Sequence, residues 1–394
     1  MNSKIIDSRI IIVKKRTVDN PLFLIFMFKL LLLLAALFSS QNAYSQQDNE
    51  ATQLIDFSVS NKAIVKQMIE PNYQHLMYSA SALQQEISNL CFKNDHQQAT
   101  SIAKVKERYI SLRIDWAKAQ LIQFGPINYL ERKERFDFWP DKHRVGERQL
   151  RRLLSEPETQ PQNLDELQKK SVALQGVSAI ERLIFSQKDN GFDEAQCKLA
   201  MLISSNLSEI ATEVFEQWSK EPILFSNDLI NTQSGVTFFQ SETDVATALF
   251  NAMMTQLNIV KALKIENALP KKGKKVGNRR NLESWRTQTS FTLMVTNLET
   301  VQQFYTIGFS HMLQQLSAEI DVELQQQFSL IIENAKDLEH QVRQSNLDKM
   351  MKNEAFLKSL NDLRDAIQVV EKTMTSQVLP ILGLNLKFNS LDGD

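Results

Sequence analysis

The chain has 394 residues, enough for two cores of ordinary domain size, with 45 Lys+Arg against 46 Asp+Glu and a net charge of −1. That balance leaves no overall field of either sign, so a nucleic-acid role has no electrostatic support. Glycine and proline number only ten and nine, and long stretches lack turn residues, so the expected fold class is all-α.

From Met27 the chain reads MFKLLLLLAALFSSQNAYSQQDNE. Lys29 supplies a short positive n-region, residues 30–38 an apolar h-region, and Ala43-Tyr44-Ser45 the small residues of a cleavage site. This predicts a secretory signal over residues 1–45 with cleavage before Gln46. The stretch before Met27 fits poorly as an n-region, which points to Met27 as the true start. A membrane anchor is the competing reading, but the apolar run 22–38 is only 17 residues long and contains Lys29, short for a span. No cysteine follows the h-region closely, so lipid attachment there is not open.

Residues 46–62 are polar and expected to be flexible. A first helix is predicted over 62–91, where Leu76, Ala80, Leu83, Ile87 and Leu90 recur at spacings of three and four, one apolar stripe. A second covers 97–123 and stops at Gly125-Pro126. Residues 125–162 hold four prolines and the aromatic segment RFDFWPD, and read as a long irregular loop. A third helix over 163–187 carries GVSAIE, Asp189-Asn190-Gly191 makes a turn, and a fourth runs over 193–220. Together, residues 63–220 make a first four-helix bundle.

Residues 221–241 read as a linker, and 242–394 repeat the scheme, with helices over 242–267, 282–305, 308–343 and 347–377. Between the first two lies LPKKGKKVGNRR, six positive charges in ten residues. A solvated loop accounts for it; the alternative is the anion-facing lip of a cleft. The tail, PILGLNLKFNSLDGD, is expected to pack back on the second bundle.

Cys91 and Cys197 are the two cysteines. One ends a predicted helix and the other opens another, positions that can meet at one end of an antiparallel bundle. An exported chain with two cysteines invites a disulfide, with two separate buried thiols as the alternative.

The ordered set of landmarks resembles the imelysin family. It comprises a long helix ending in cysteine, a helix containing Trp116 and ending in FGP, then RFDFWPD and SVALQGVSAIERLIF. A cysteine opening the next helix, RRNLESWRTQTSF and LGLNLKFNSLDGD complete it. The resemblance covers about residues 64–394 and is strongest to the imelysin-like branch of exported bacterial proteins. It implies two helical bundles facing each other across a cleft. The family includes insulin-cleaving metallopeptidases and proteins linked to bacterial iron uptake, and its motif is GxHxxE, whose histidine and glutamate are the proposed metal pair. Here the matching positions are Gly176, Ser178 and Glu181, and the histidine is missing. Histidine and glutamate three apart share a helix face and can grip one cation; serine is a weak neutral ligand. The five histidines (His75, His96, His143, His311, His340) show no ligand spacing.

Glu181 lies among Val177, Ala179, Ile180, Leu183 and Ile184, so it is expected to be buried and to need a partner or a proton. The alternatives are a salt bridge to an arginine of the 279–286 region and direct contact with a ligand or divalent metal. Gly176 allows a close approach of a neighbouring helix. Trp139-Pro140-Asp141 is either an aromatic plug or places Asp141 at a cleft mouth, capping or binding a cation. Glu283 is expected in the first turn of a helix that also puts Arg286 and Ser290 on one face; the two-bundle architecture that the resemblance implies would let them meet Glu181 across the cleft.

No GxSxG, phosphate-binding glycine loop or CxxC occurs. The expectation is therefore a non-catalytic periplasmic protein, monomeric and not integral to the membrane once its signal is removed. The resemblance implies that it binds iron, another cation or an iron-uptake component of the envelope in its cleft. The alternatives are a metallopeptidase drawing ligands for Glu181 from elsewhere, and a partner-binding protein that contacts its target through the aromatic loop.

Overall fold

Apolar residues spaced by three and four wind the chain into helices throughout, and every regular element among the described residues is helical. The computed structural model describes residues 55–92, 98–185, 192–219, 230 and 239–385. The expected signal, residues 46–54, the turn at 189–191, most of the 221–241 linker and the end of the tail lie outside the described residues. Ile55–Asp394 form one compact unit.

α1 (Ser58–Ile64) passes through a π-helical turn (Val65–Ile69) into α2 (Glu70–Cys91), which buries Tyr73, Leu76, Ala80, Leu83, Ile87 and Leu90. α3 (Gln98–Ala119) packs along α2. A 3-10 turn (Gly125–Glu131) leads to α4 (Arg132–Phe136) and then α5 (Val145–Ser155). α6 (Leu164–Gln168) and α7 (Val177–Phe185) follow, separated by a 3-10 turn at Val172–Leu174. α8 (Glu194–Ser219) returns along α2. At its start the Asp193 carboxylate accepts from the Gln196 amide at 2.8 Å, an N-cap. The expected disulfide joins Cys91 and Cys197, whose Cα atoms are 5.5 Å apart.

In the second half, α9 (Glu242–Asn258) starts at Ser241, whose hydroxyl accepts from the Asp244 amide, and runs on through a π-helical stretch (Ile259–Glu266). α10 (Ser290–Tyr305) continues through a third π-turn (Thr306–Ser310) into α11 (His311–Leu316). α12 (Ala318–Gln344) follows, then the short α13 (Leu347–Met350), and α14 (Glu354–Thr373) with a fourth π-turn (Met374–Val378) and α15 (Leu379–Ile381). α12 packs between α10 and α14, and α10 also packs on α3, joining the halves. Trp218, Phe250, Phe304 and Phe309 are among the fully buried side chains, each stabilising by roughly 1.5–3 kcal/mol through removal from water.

Five elements differ from the sequence expectation. The single helix over 347–377 is interrupted at residues 351–353, where Asn353 caps a new helix by accepting from the Phe356 amide. The single helix over 163–187 is broken, because Gly176 is pressed against the backbone of α4 and Ser171 caps the separate 3-10 turn. The loop over 125–162 contains two helices, since its four prolines all fall outside them, only Pro140 lying between. No break separates 305 from 308; the π-turn carries the helix through, and Ser317 ends it. The helix expected from Leu282 begins only at Ser290, and residues 283–289 form successive turns with left-handed Ser284 (φ 48) and Gln288 (φ 61).

Candidate functional site

α7 is short because close packing against α4 stops it being longer, and that packing fixes where its polar side chains point. A Cβ on Gly176 would lie 2.3 Å from the Phe136 carbonyl oxygen and 2.7 Å from that of Arg135. Both are backbone atoms, so Gly176→Ala is expected to cost about 1–3 kcal/mol of overpacking, read as a lower denaturant midpoint; an unchanged midpoint would mean that α4 moves aside freely. The apolar side chains of α7 enter the core, while Ser178, Glu181 and Arg182, at spacings of three and four, reach a cleft of about 550 Å³ between the halves.

Glu181 is 5% exposed. Its Oε2 lies 3.8 Å from Arg286 Nη1, an ion pair too long for a hydrogen bond, and its Oε1 is buried with no partner. Burial pushes the carboxyl above the usual glutamate value, against the pull of Arg286, Arg113 and Arg182. Arg286 also stands 3.8 Å from Glu147, on α5. Ser178 donates to Asp137 at 3.1 Å. Arg182 donates to Asp141 at 2.9 Å and to the Ser178 carbonyl at 2.8 Å.

Asp141 also accepts from the amides of Val145 and Gly146 at 2.7 and 3.1 Å. It holds the N-terminus of α5 and an arginine. Trp139 and Pro140, joined by a cis peptide, line the wall beside it. The rest of RFDFWPD divides its work. Phe136 packs on Trp116 with ring centroids 4.7 Å apart, and Asp137 accepts from Trp116 Nε1 at 3.0 Å and from Arg113 at 2.8 Å.

Arg113 is the hub behind the cleft floor. It is 2% exposed and donates to Asp137, to Glu283 at 2.5 Å and to Ser284 at 3.1 Å. Lys264 closes the other side, 2.5 Å from Glu283 and bonded to Asn297, whose amide donates to the Ala117 carbonyl at 2.7 Å. Burial alone would raise the Glu283 carboxyl, but Lys264 and Arg113 outweigh it and hold it below the usual range. Glu283 therefore sits in an ion network tying the halves together, instead of opening a helix as its sequence context suggested. Ser290 donates to the Glu283 carbonyl at 2.6 Å, is buried, and does not line the cleft; nor does Gly176.

Trp285 forms the facing wall. Arg286 and Arg279 lie over its ring at 4.4 and 4.7 Å from the centroid, and Arg280 at 5.9 Å. From the basic segment, Lys271 and Arg280 line the cleft. Arg113, Glu147, Arg182, Lys264, Trp285 and their partners have no motif spacing. Arg113 and Lys264 stand among other charges in the sequence, with Asp115 beside the first and Lys261 and Glu266 beside the second, so nothing marked them out.

The metal implied by the GxHxxE resemblance does not fit these residues. Ser178 spends its hydroxyl on Asp137, Glu181 faces arginine, and no histidine lines the cleft. Among the described residues, no group of three His, Cys, Asp or Glu is placed to hold a metal ion. No helix of the described residues is long and apolar enough to cross a membrane.

The family model described as Imelysin (Peptidase M75) matches residues 69–371. Among solved structures, the crystal structure of an imelysin-like protein from Psychrobacter arcticum 273-4 aligns with a TM-score of 0.66 at 17% identity. The alignment covers 85% of this chain and 98% of that one, a likeness that shows the fold. No curated protein matches the chain.

Proposed function

The chain belongs to the imelysin family, and from that premise we propose that it is an exported, non-catalytic protein that holds a ligand in the cleft between its halves. On this reading the binding serves iron acquisition at the cell envelope, the role that the family resemblance implies. The carrying observation is what occupies the motif: a serine already bonded to Asp137, and a glutamate paired loosely with Arg286. Metal-assisted hydrolysis needs about three protein ligands and an open position. A serine mechanism needs an imidazole or equivalent base against the hydroxyl. Ser178 donates to Asp137, whose other oxygen is held by Arg113 and Trp116, and Ser284 accepts from Arg113, so neither hydroxyl faces an imidazole.

The test is proteolysis. Incubated with an unfolded polypeptide, with added zinc or with chelator, the chain should give no chelator-sensitive cleavage. Cleavage that chelator stops, and that Glu181→Gln abolishes, would restore the peptidase reading and end this one.

A further inference from the structure

We propose that the cleft takes a small polyanion, a molecule carrying two or more carboxylate or phosphate groups, with one acid group seated on Arg286 and the others at the basic lip. This rests on the cleft being a binding site, and adds the chemistry of what it binds.

The first support is the distribution of charge. The whole chain carries −1, yet the cleft lining has seven cationic side chains (Arg113, Lys142, Arg144, Arg182, Lys271, Arg280, Arg286) against four acids (Asp141, Glu147, Glu181, Glu283). Some of those cations are already used: Arg113 by Asp137 and Glu283, Arg182 by Asp141, Arg144 by Glu147. Lys142, Lys271 and Arg280 have no acidic partner among the described residues. An uncompensated positive rim over a concave, low-dielectric floor focuses field and draws anions in.

The second support is Arg286. It is half-buried and reaches Glu147 and Glu181 only at 3.8 Å. Among the described residues it therefore donates no hydrogen bond. A guanidinium taken this far out of water without bonded acceptors is costly unless a ligand supplies them. Stacking on Trp285 holds its plane in place, the pre-organisation that suits two parallel bonds to one carboxylate or phosphate.

The third support is Glu181 Oε1, buried on the wall opposite Arg286 and unpartnered. In a finished structural ion pair that atom would be bonded. Here it is left to accept an O–H from the ligand, such as a hydroxyl or the proton of an acid group. A cation arriving at the same place would have to pass the lip and lie beside Arg286 and Arg182.

The experiment titrates the chain, expressed with its own leader, with citrate and with inorganic pyrophosphate by calorimetry at low and high salt. Glycerol serves as a neutral control. Saturable binding of at least one anion is expected, weakening about tenfold or more at high salt as exposed charges are screened. The Lys271→Gln/Arg280→Gln variant, changed only on the exposed lip, should lose about tenfold, and Arg286→Gln should lose more, being the desolvated partner. Which anion binds tells carboxylate from phosphate. Binding of neither, binding untouched in both variants, or an equal response to glycerol overturns the proposal. If no anion binds and no chelator-sensitive cleavage is seen, only the ligand class falls; chelator-sensitive cleavage would remove the binding-site reading itself.

Discussion

Replacing Arg113 by leucine should destabilise the protein by about 3–5 kcal/mol, the usual cost of removing one partner from a buried ion pair. The side chain lies in α3 and bridges two acids, Asp137 and Glu283, from opposite halves of the chain. Without it, Asp137 keeps only Ser178 and the Trp116 ring nitrogen, and Glu283 only Lys264. The loss is a large share of a total stability of order 5–15 kcal/mol. Urea unfolding of the variant reads it directly. Adding Glu283→Gln should then cost less than it does in the parent, because the two residues share one interaction. A loss below about 1 kcal/mol, or strict additivity, would show that the network is not what joins the halves.

Reducing the Cys91–Cys197 bridge should come next in size. It closes a loop of 106 residues, for which chain entropy alone gives about 4.7 kcal/mol. The bridge ties the end of α2 to the start of α8, two helices already packed along each other. Its effect should therefore appear mainly in the unfolded chain and leave the cleft as it is. Thermal melts with and without reductant, beside a Cys91→Ala/Cys197→Ala variant, measure it. A reductant-insensitive melt in the parent chain would show that the two thiols do not pair.

Residues 70–91, 194–219 and 354–373 were legible as helices because one apolar stripe runs through each and the one proline among them, Pro71, sits in a first turn. Helix α5 was not, since only Leu150 and Leu153 mark its buried side and prolines crowd it on both flanks. GVSAIE drew attention to the face of α7 that lines the cleft, and the 279–286 region was a named source for the partner of Glu181. The hub behind it was hidden for a physical reason. Arg113 and Glu283 are 170 positions apart, and residues 283–286 act from a chain of turns in which consecutive side chains reach the network, the cleft wall and Glu181. Helical spacing cannot describe that segment, which is why Ser290 was grouped with Arg286 and stands elsewhere. The basic segment was visible at once, but only the fold decides which of its charges meet the cleft.

The four π-turns, at Val65–Ile69, Ile259–Glu266, Thr306–Ser310 and Met374–Val378, bear on how such a chain can change its length. Deleting one residue from an ordinary α-helix swings everything beyond it through about 100°, turning a buried stripe out to water. Deleting one from a π-turn only tightens the wider turn into an α-turn, and both ends keep their facing. These four places are therefore where the long helices can shed single residues over generations without unseating the side chains that surround the cleft.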